Sequence, residues 1–212
     1  MEGDPAKRFC SELKIEGSEV VGIRGDAGDI TNVVIPNGID GIADEVFLDC
    51  SGLTALTLPE SLQYIGDYAF DWCLKLQNVV GGTAVTHYGD HSFSIHSNTE
   101  WTLTGLGSSH FRLSPVTESI GASAFYGAGL DNVTWASLQV PDTLTHLGAS
   151  AFAGNRLPGH FAPPPHIDVL ANSTFQGSFF TTVDLTGVTA VGSFCFAQNE
   201  YAGAYFSEVR LR

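Results

Sequence analysis

Three carboxylates recur at a fixed interval in this chain. Asp44, Asp67 and Asp90 each stand three residues before a Phe. If the segments carrying them stack at the spacing of neighbouring strands, the carboxylates lie about 5 Å apart. Like charges that close repel unless a cation or backbone amides intervene. Calcium suits such a row because it takes several carboxylate and carbonyl oxygens, whereas Asp in a turn caps backbone amides; the spacing leaves both readings open. Arg24-Gly25-Asp26 is the tripeptide that integrins read, a cation and an anion flanking a flexible Gly, with Asp able to complete a metal site in the receptor. Gly22, Gly25 and Gly28 also suit an ordinary turn. His87, His91 and His96 cluster without the spacing of a familiar metal site. Asn132-Val133-Thr134 and Asn172-Ser173-Thr174 fit the glycosylation acceptor pattern. There is no Gly-x-Ser-x-Gly elbow, no Gly-Lys-Ser/Thr phosphate loop and no His-Glu-x-x-His, so no nucleophile with an orienting base and no cofactor is expected.

The elements that position these residues repeat. An apolar residue, Gly or Ala, three variable residues and Phe recur at Ile42–Phe47, Ile65–Phe70, Tyr88–Phe93, Ile120–Phe125, Leu147–Phe152, Leu170–Phe175 and Val191–Phe196. A period of roughly 20–30 residues marks a solenoid, in which each unit buries its apolar side only against its neighbours. A second template, Leu-x-x-Leu-x-Leu, runs through Ile30–Ile35, Leu53–Leu58, Leu76–Val79, Leu130–Trp135, Phe180–Leu185 and Phe206–Leu211. Its last three positions alternate, which predicts a short strand, ended by Pro36, Pro59 or Pro141. The Gly-x-x-x-Phe stretch is expected to form a second short strand or turn on the opposite wall, with the Phe rings in one buried ladder. Cys50 and Cys73 occupy a slot that later units fill with Ala128, Asn155 and Ser178. They read as buried space-filling thiols, since no Cys-x2-Cys pair is present.

Composition narrows the function. The chain has 212 residues, 43% of them hydrophobic, and a formal net charge of −14. Between Ile30 and Val209 the basic side chains are Lys75, Arg112 and Arg156 alone. Such a surface repels phosphate backbones and anionic membranes, so neither nucleic acid nor membrane insertion is expected. No apolar run reaches the ~18 residues of a membrane span, and Met1 to Arg8 lacks the apolar core of a signal peptide. Val209-Arg210-Leu211 looks like the middle of a unit, which suggests a piece of a longer protein.

The stretch Leu53 to Leu76 resembles the BspA-like (Treponema-type) leucine-rich repeat, Leu-x-x-Leu-x-Leu-Pro-x-Ser-Leu-x-x-Ile-Gly-x-x-Ala-Phe-x-x-Cys. The resemblance implies a curved leucine-rich-repeat solenoid, β-rich, with a parallel sheet on its concave side and short strands or turns on the convex side. It also implies a surface-displayed or secreted protein of a host-associated microbe that acts in adhesion or protein binding. The expected organisation is an N-terminal segment or cap over 1–19 and a solenoid of about seven units over 20–212, irregular at 94–114 and 157–166. The strand template places Asn32, Thr57, Asn78, Asn132, Thr134, Thr182 and Asp184 on the concave face as a row of small, mostly uncharged side chains for a protein partner. Trp101, in the longest insertion, is a further candidate. Two other readings are a spacer or targeting module cut from a larger enzyme or surface protein, and a carbohydrate-binding module with Trp101 as its stacking platform. Trp135 falls in a core slot and is set aside for that role.

Overall fold

The computed structural model describes residues 13–95, 105–106, 111–131 and 133–197, and the backbone of 208–210. The protein is a β-solenoid. Its first strands are β1 (Leu13–Glu16), β2 (Glu19–Ile23), β3 (Asn32–Val34), β4 (Gly41–Ile42), β5 (Ala55–Leu58) and β6 (Tyr64–Ile65). There follow β7 (Asn78–Gly81), β8 (His87–Tyr88), β9 (Ser119–Ile120), β10 (His146–Leu147) and β11 (Pro158–Phe161). The last are β12 (Val169–Leu170), β13 (Phe179–Asp184), β14 (Ala190–Val191) and β15 (Glu208–Arg210). The expected boundary at residue 19 falls at the first residue of β2, which pairs antiparallel with β1 and parallel with β4.

A complete unit contributes one rung with three bonded walls. The first wall is the Leu-x-x-Leu-x-Leu strand: β3, β5 and β7 form one parallel sheet, and β11, β13 and β15 another. The second wall is the two-residue strand before Gly. It runs unbroken through β2, β4, β6, β8, β9 and β10, and resumes as the pair β12–β14. The third wall is the Phe turn. Although no strand forms there, the amides of Phe and of the residues two before and two after it donate to carbonyls of the following rung. Glu45, Phe47 and Asp49 bond to Asp67, Ala69 and Asp71 at 2.8–2.9 Å. Ser173, Phe175 and Gly177 do the same to Ser193, Cys195 and Ala197 at 2.7–2.9 Å. The pattern holds at every junction between them.

The backbone turns left-handed before every Phe of this third wall and after most of them. The residue two before Phe has φ of 55–60° in all seven rungs: Glu45, Tyr68, His91, Ser123, Ser150, Ser173 and Phe194. The residue two after it is left-handed at Asp49, Trp72, Gly127, Gly154 and Gly177. The rings then stack in one column. Successive pairs from Phe47 to Phe196 lie 4.9–5.9 Å apart with planes 3–12° from parallel. Phe47, Phe70, Phe125, Phe152 and Phe175 are at most 1% exposed. Phe196, expected to be as deep, is only partly buried against the core.

The repeated Gly answers to close approach. A Cβ on Gly66, Gly89, Gly121, Gly148 or Gly192 would meet the preceding rung at 2.4–2.5 Å, a distance real Cβ atoms do not adopt. Each of these Gly amides bonds to the rung before, as Gly66 does to Ile42 and Gly148 to Ile120. Where the slot holds Ala171 the second wall is interrupted: β10 and β12 are not neighbours in a sheet. Ala43 keeps its bond to Val20 because β2 continues there as a strand instead of turning beneath it.

Two segments depart from the expected pattern. Leu130 to Trp135 was expected as a strand, but Trp135–Leu138 is a 3-10 turn. Thr134 Oγ1 accepts from the Ser137 amide at 3.1 Å and ends the extended run. The Trp135 indole packs edge-on against Phe152 and Phe175 and donates to the Ala162 carbonyl at 2.8 Å. Leu157 to His166, expected as irregular, carries strand β11, paired with β13 through one register shift between Gly159 and His160. The longer insertion, 94–114, lies mostly outside the described residues.

Phe70→Ala removes a ring stacked on both sides. It is expected to lower stability by roughly 3–5 kcal/mol in urea unfolding. Gly89→Ala would force a methyl to 2.5 Å from Asp67 Oδ1. A loss of about 1–3 kcal/mol is expected from that overpacking, and a neutral result would refute the close-approach explanation of the repeated Gly.

Candidate partner-binding site

The outward positions of the first wall form two columns in register across β3, β5 and β7. Asn32 faces Ala55 and then Asn78, and Val34 faces Thr57 and then Val80. Asn32, Thr57, Asn78 and Val80 are exposed. The columns hold by strand alternation: Val33, Leu56 and Val79 point into the core from the same strands. Thr54 Oγ1 bonds to the Thr31 carbonyl at 2.9 Å and ties the strand starts together. Thr182 and Asp184 belong to the other sheet, where they pair with Glu208 and Arg210 in β15. Thr182 Oγ1 is 2.7 Å from His160 Nδ1, and Asp184 Oδ1 accepts from the Thr186 amide at 2.9 Å. Thr134 caps its 3-10 turn and belongs to neither sheet. Among the described residues the expected row thus falls on two separately bonded sheets. Asn132 and Trp101 lie outside the described residues.

The carboxylate ladder is bonded to backbone. Asp44 Oδ1 accepts from the Asp67 amide at 2.8 Å, Asp67 Oδ1 from the Asp90 amide at 2.7 Å, and Asp90 Oδ1 from the Ala122 amide at 2.6 Å. Asn172 Oδ1 holds Ser193 in the same way at 2.8 Å. An amide oxygen thus substitutes for the carboxylate, so the slot requires an acceptor and not a charge. Among the described residues no three His, Cys, Asp or Glu side chains are grouped to hold a metal ion. His87 Nδ1 lies 2.8 Å from Thr86 Oγ1, and His91 is stacked on Tyr68. His96 lies outside the described residues.

Arg24, Gly25 and Asp26 are all exposed, with Gly25 at φ 100°. Asp26 Oδ1 accepts from the Gly28 amide at 3.0 Å and caps the short 3-10 turn Ala27–Asp29. One carboxylate oxygen is thereby committed to the turn that leads into β3.

The slot three residues after Phe has a donor's task that spacing did not reveal. Cys73 Sγ donates to the Phe47 carbonyl at 3.3 Å, and Asn155 Nδ2 donates to the Phe125 carbonyl at 2.6 Å. The recurrence of Cys and Asn at one slot, both small and both donors, was the available signal. Cys50, Cys73 and Cys195 are free, buried thiols. Burial pushes Cys50 and Cys195 up to about 11, Cys50 with help from Asp49, and raises Cys73 further. Also unforeseen was the bond from Tyr64 to Glu19 at 2.5 Å, which carries the Tyr64 ring across Gly41. Partial burial and that bond push its hydroxyl up to about 12. No helix among the described residues is long and apolar enough to cross a membrane.

Sequence comparison matches the model of the BspA type leucine rich repeat region in six copies, over residues 26–134 and 104–208. No curated protein is a significant sequence match. Among solved structures, a leucine-rich repeat protein from Bacteroides ovatus superposes with a TM-score of 0.72 at 23% identity. The likeness covers 93% of this chain and 50% of that one, so the chain spans half the length of the Bacteroides protein. The T. pallidum leucine rich repeat protein superposes with a TM-score of 0.62 at 21% identity, over 93% of this chain and 91% of that one. Both likenesses concern the fold.

The buried thiols make stability sensitive to alkali. Their folded values stand above the unfolded one of 9.0, so the contribution of the neutral thiol is complete below about pH 9 and is lost as pH rises through about 11. The urea midpoint is expected to fall across that window, and to fall less in Cys195→Ala. Thiol reagent at neutral pH should find no reactive Cys50, Cys73 or Cys195 until denaturant is added.

Proposed function

The chain belongs to the BspA-type leucine-rich repeat proteins, and from that premise we propose a non-catalytic solenoid that binds a protein partner as a surface or secreted adhesin of a host-associated microbe. The observation that carries the binding role is the pair of exposed columns on β3, β5 and β7. Their side chains are short and uncharged, so a partner's backbone can approach them with little ordering cost. The setting rests on resemblance to the family. A second reading is a spacer or targeting module, in which the stacked rungs serve only as a rigid arm.

Beads carrying the chain should attach to cultured epithelial cells or immobilised matrix proteins. Asn78→Arg places a bulky charge in the column and should cut attachment by about tenfold. Asp26→Ala should leave it unchanged. Attachment lost with Asp26→Ala and untouched by Asn78→Arg would move the site to the Arg24-Gly25-Asp26 turn. No attachment by the unaltered chain would favour the spacer.

A further inference from the structure

The outer face of the Phe wall carries a second surface, separate from the columns on β3, β5 and β7. Several of the slots two residues before and two after Phe reach the surface. In the Phe125, Phe152 and Phe175 rungs they hold Ser123, Ser150 and Ser173 before the ring, and Gly127, Gly154 and Gly177 after it. The Phe70 rung instead holds Tyr68 at φ 56° and Trp72 at φ 60°, a conformation bulky residues seldom adopt. Both remain exposed, at 38% and 39%. Tyr68 is stacked flat on His91, 4.7 Å away and 4° from parallel. The rung before fills the same two slots with exposed acids, Glu45 and Asp49, beside exposed Leu48.

The charge around these rings is predominantly acidic. Asp44, Asp67 and Asp90 line the turn that leads into the wall, and Asp71, 5% exposed, accepts from the Trp72 amide at 3.1 Å and from Ser94 Oγ. Between Ile30 and Ile95 the basic side chain is Lys75 alone. Flat aromatic faces edged by carboxylates are the surroundings a guanidinium or ammonium group takes, stacking on the ring while it bonds to the acid. The protein makes one such contact itself, with the Arg156 guanidinium 5.7 Å from the centre of the Phe179 ring. The surface is a wall and not a cleft, which suits an extended chain more than a small molecule. We propose that the Tyr68–Trp72 face of the Phe wall binds an arginine- and lysine-rich polypeptide segment. This surface does not depend on the strand columns, and Asn78→Arg should leave its binding intact.

The test is fluorescence anisotropy with a labelled nona-arginine peptide and the full chain. The double variant Tyr68→Ser/Trp72→Gly copies the later rungs and leaves the charge unaltered. It should bind at least about tenfold more weakly while melting no lower than the unaltered chain. Asp142→Asn/Asp168→Asn removes two exposed carboxylates beyond the patch and should weaken binding by less than about threefold. Glu45→Gln/Asp49→Asn, which keeps both rings, should weaken it by more than that and so tests the patch even if the first variant does not fold. Equal binding by the aromatic double variant would overturn the proposal. So would equal losses from the patch and the distant acids, which would mean acidity alone. Retention of a neutral oligosaccharide such as maltoheptaose, abolished by Tyr68→Ser/Trp72→Gly while the peptide is indifferent, would make the face a sugar platform and also overturn it.

Discussion

The column of Phe rings sets the distance on which every other feature depends. Seven rings stacked nearly parallel, 4.9–5.9 Å apart, fix the rise from rung to rung near the spacing at which parallel backbones hydrogen-bond. Each ring is buried by its neighbours above and below, and such burial contributes about 2–3 kcal/mol per ring. In each rung from Phe47 to Phe175 the turn aims three amides at the following rung. The ring column and this amide ladder are one structure: the rings hold the spacing and the amides hold the register. At that spacing the second wall brings backbones so close that only Gly fits in most rungs, and the Asp or Asn before Phe can reach exactly one amide onward.

The Phe wall is also where the solenoid is continuous. The first wall is split into two three-stranded sheets, and the second stops after β10. The Phe wall passes through both breaks. Ser150, Phe152 and Gly154 still donate to Asn172, Thr174 and Gln176 at 2.8–2.9 Å across the junction where β10 and β12 part. It also ignores the longest insertion, since His91, Phe93 and Ile95 bond to Ala122, Ala124 and Tyr126 at 2.7–2.8 Å. The cost of irregularity falls on the first wall. There the 3-10 turn at Trp135 replaces a strand and the indole fills the space between Phe152 and Phe175. That is also the wall with the exposed columns.

Much of this was legible because the repeat is written in residue types with single physical tasks. Phe at regular intervals gave the core column, and the Ile-Gly pair gave the second wall. What stayed hidden depended on backbone sign. Glu45, Tyr68, His91 and Ser123 share no side-chain property, so nothing marked their common left-handed conformation or the bonded wall built from it. The Leu130 to Trp135 stretch matched the apolar spacing of the strand template; the local bonds between Thr134 and Ser137 go with a 3-10 turn there instead. The acceptor role of Asp44, Asp67 and Asp90 could be named but not separated from cation binding until their partners were seen. The face around Tyr68 and Trp72 went unnoticed because aromatic residues in a repeat read first as core.

Amide hydrogen exchange resolved by residue tests this account most directly. If the Phe wall is the spine, the amides of Phe47, Phe70, Phe93, Phe125, Phe152 and Phe175 exchange last, and that of Phe152 stays protected across the junction where the second wall is broken. Exchange at these amides that is as fast as at Gly148 and Gly192, or earlier loss of protection in the Phe turn than in β3, β5 and β7, would contradict it and return the structural burden to the sheets.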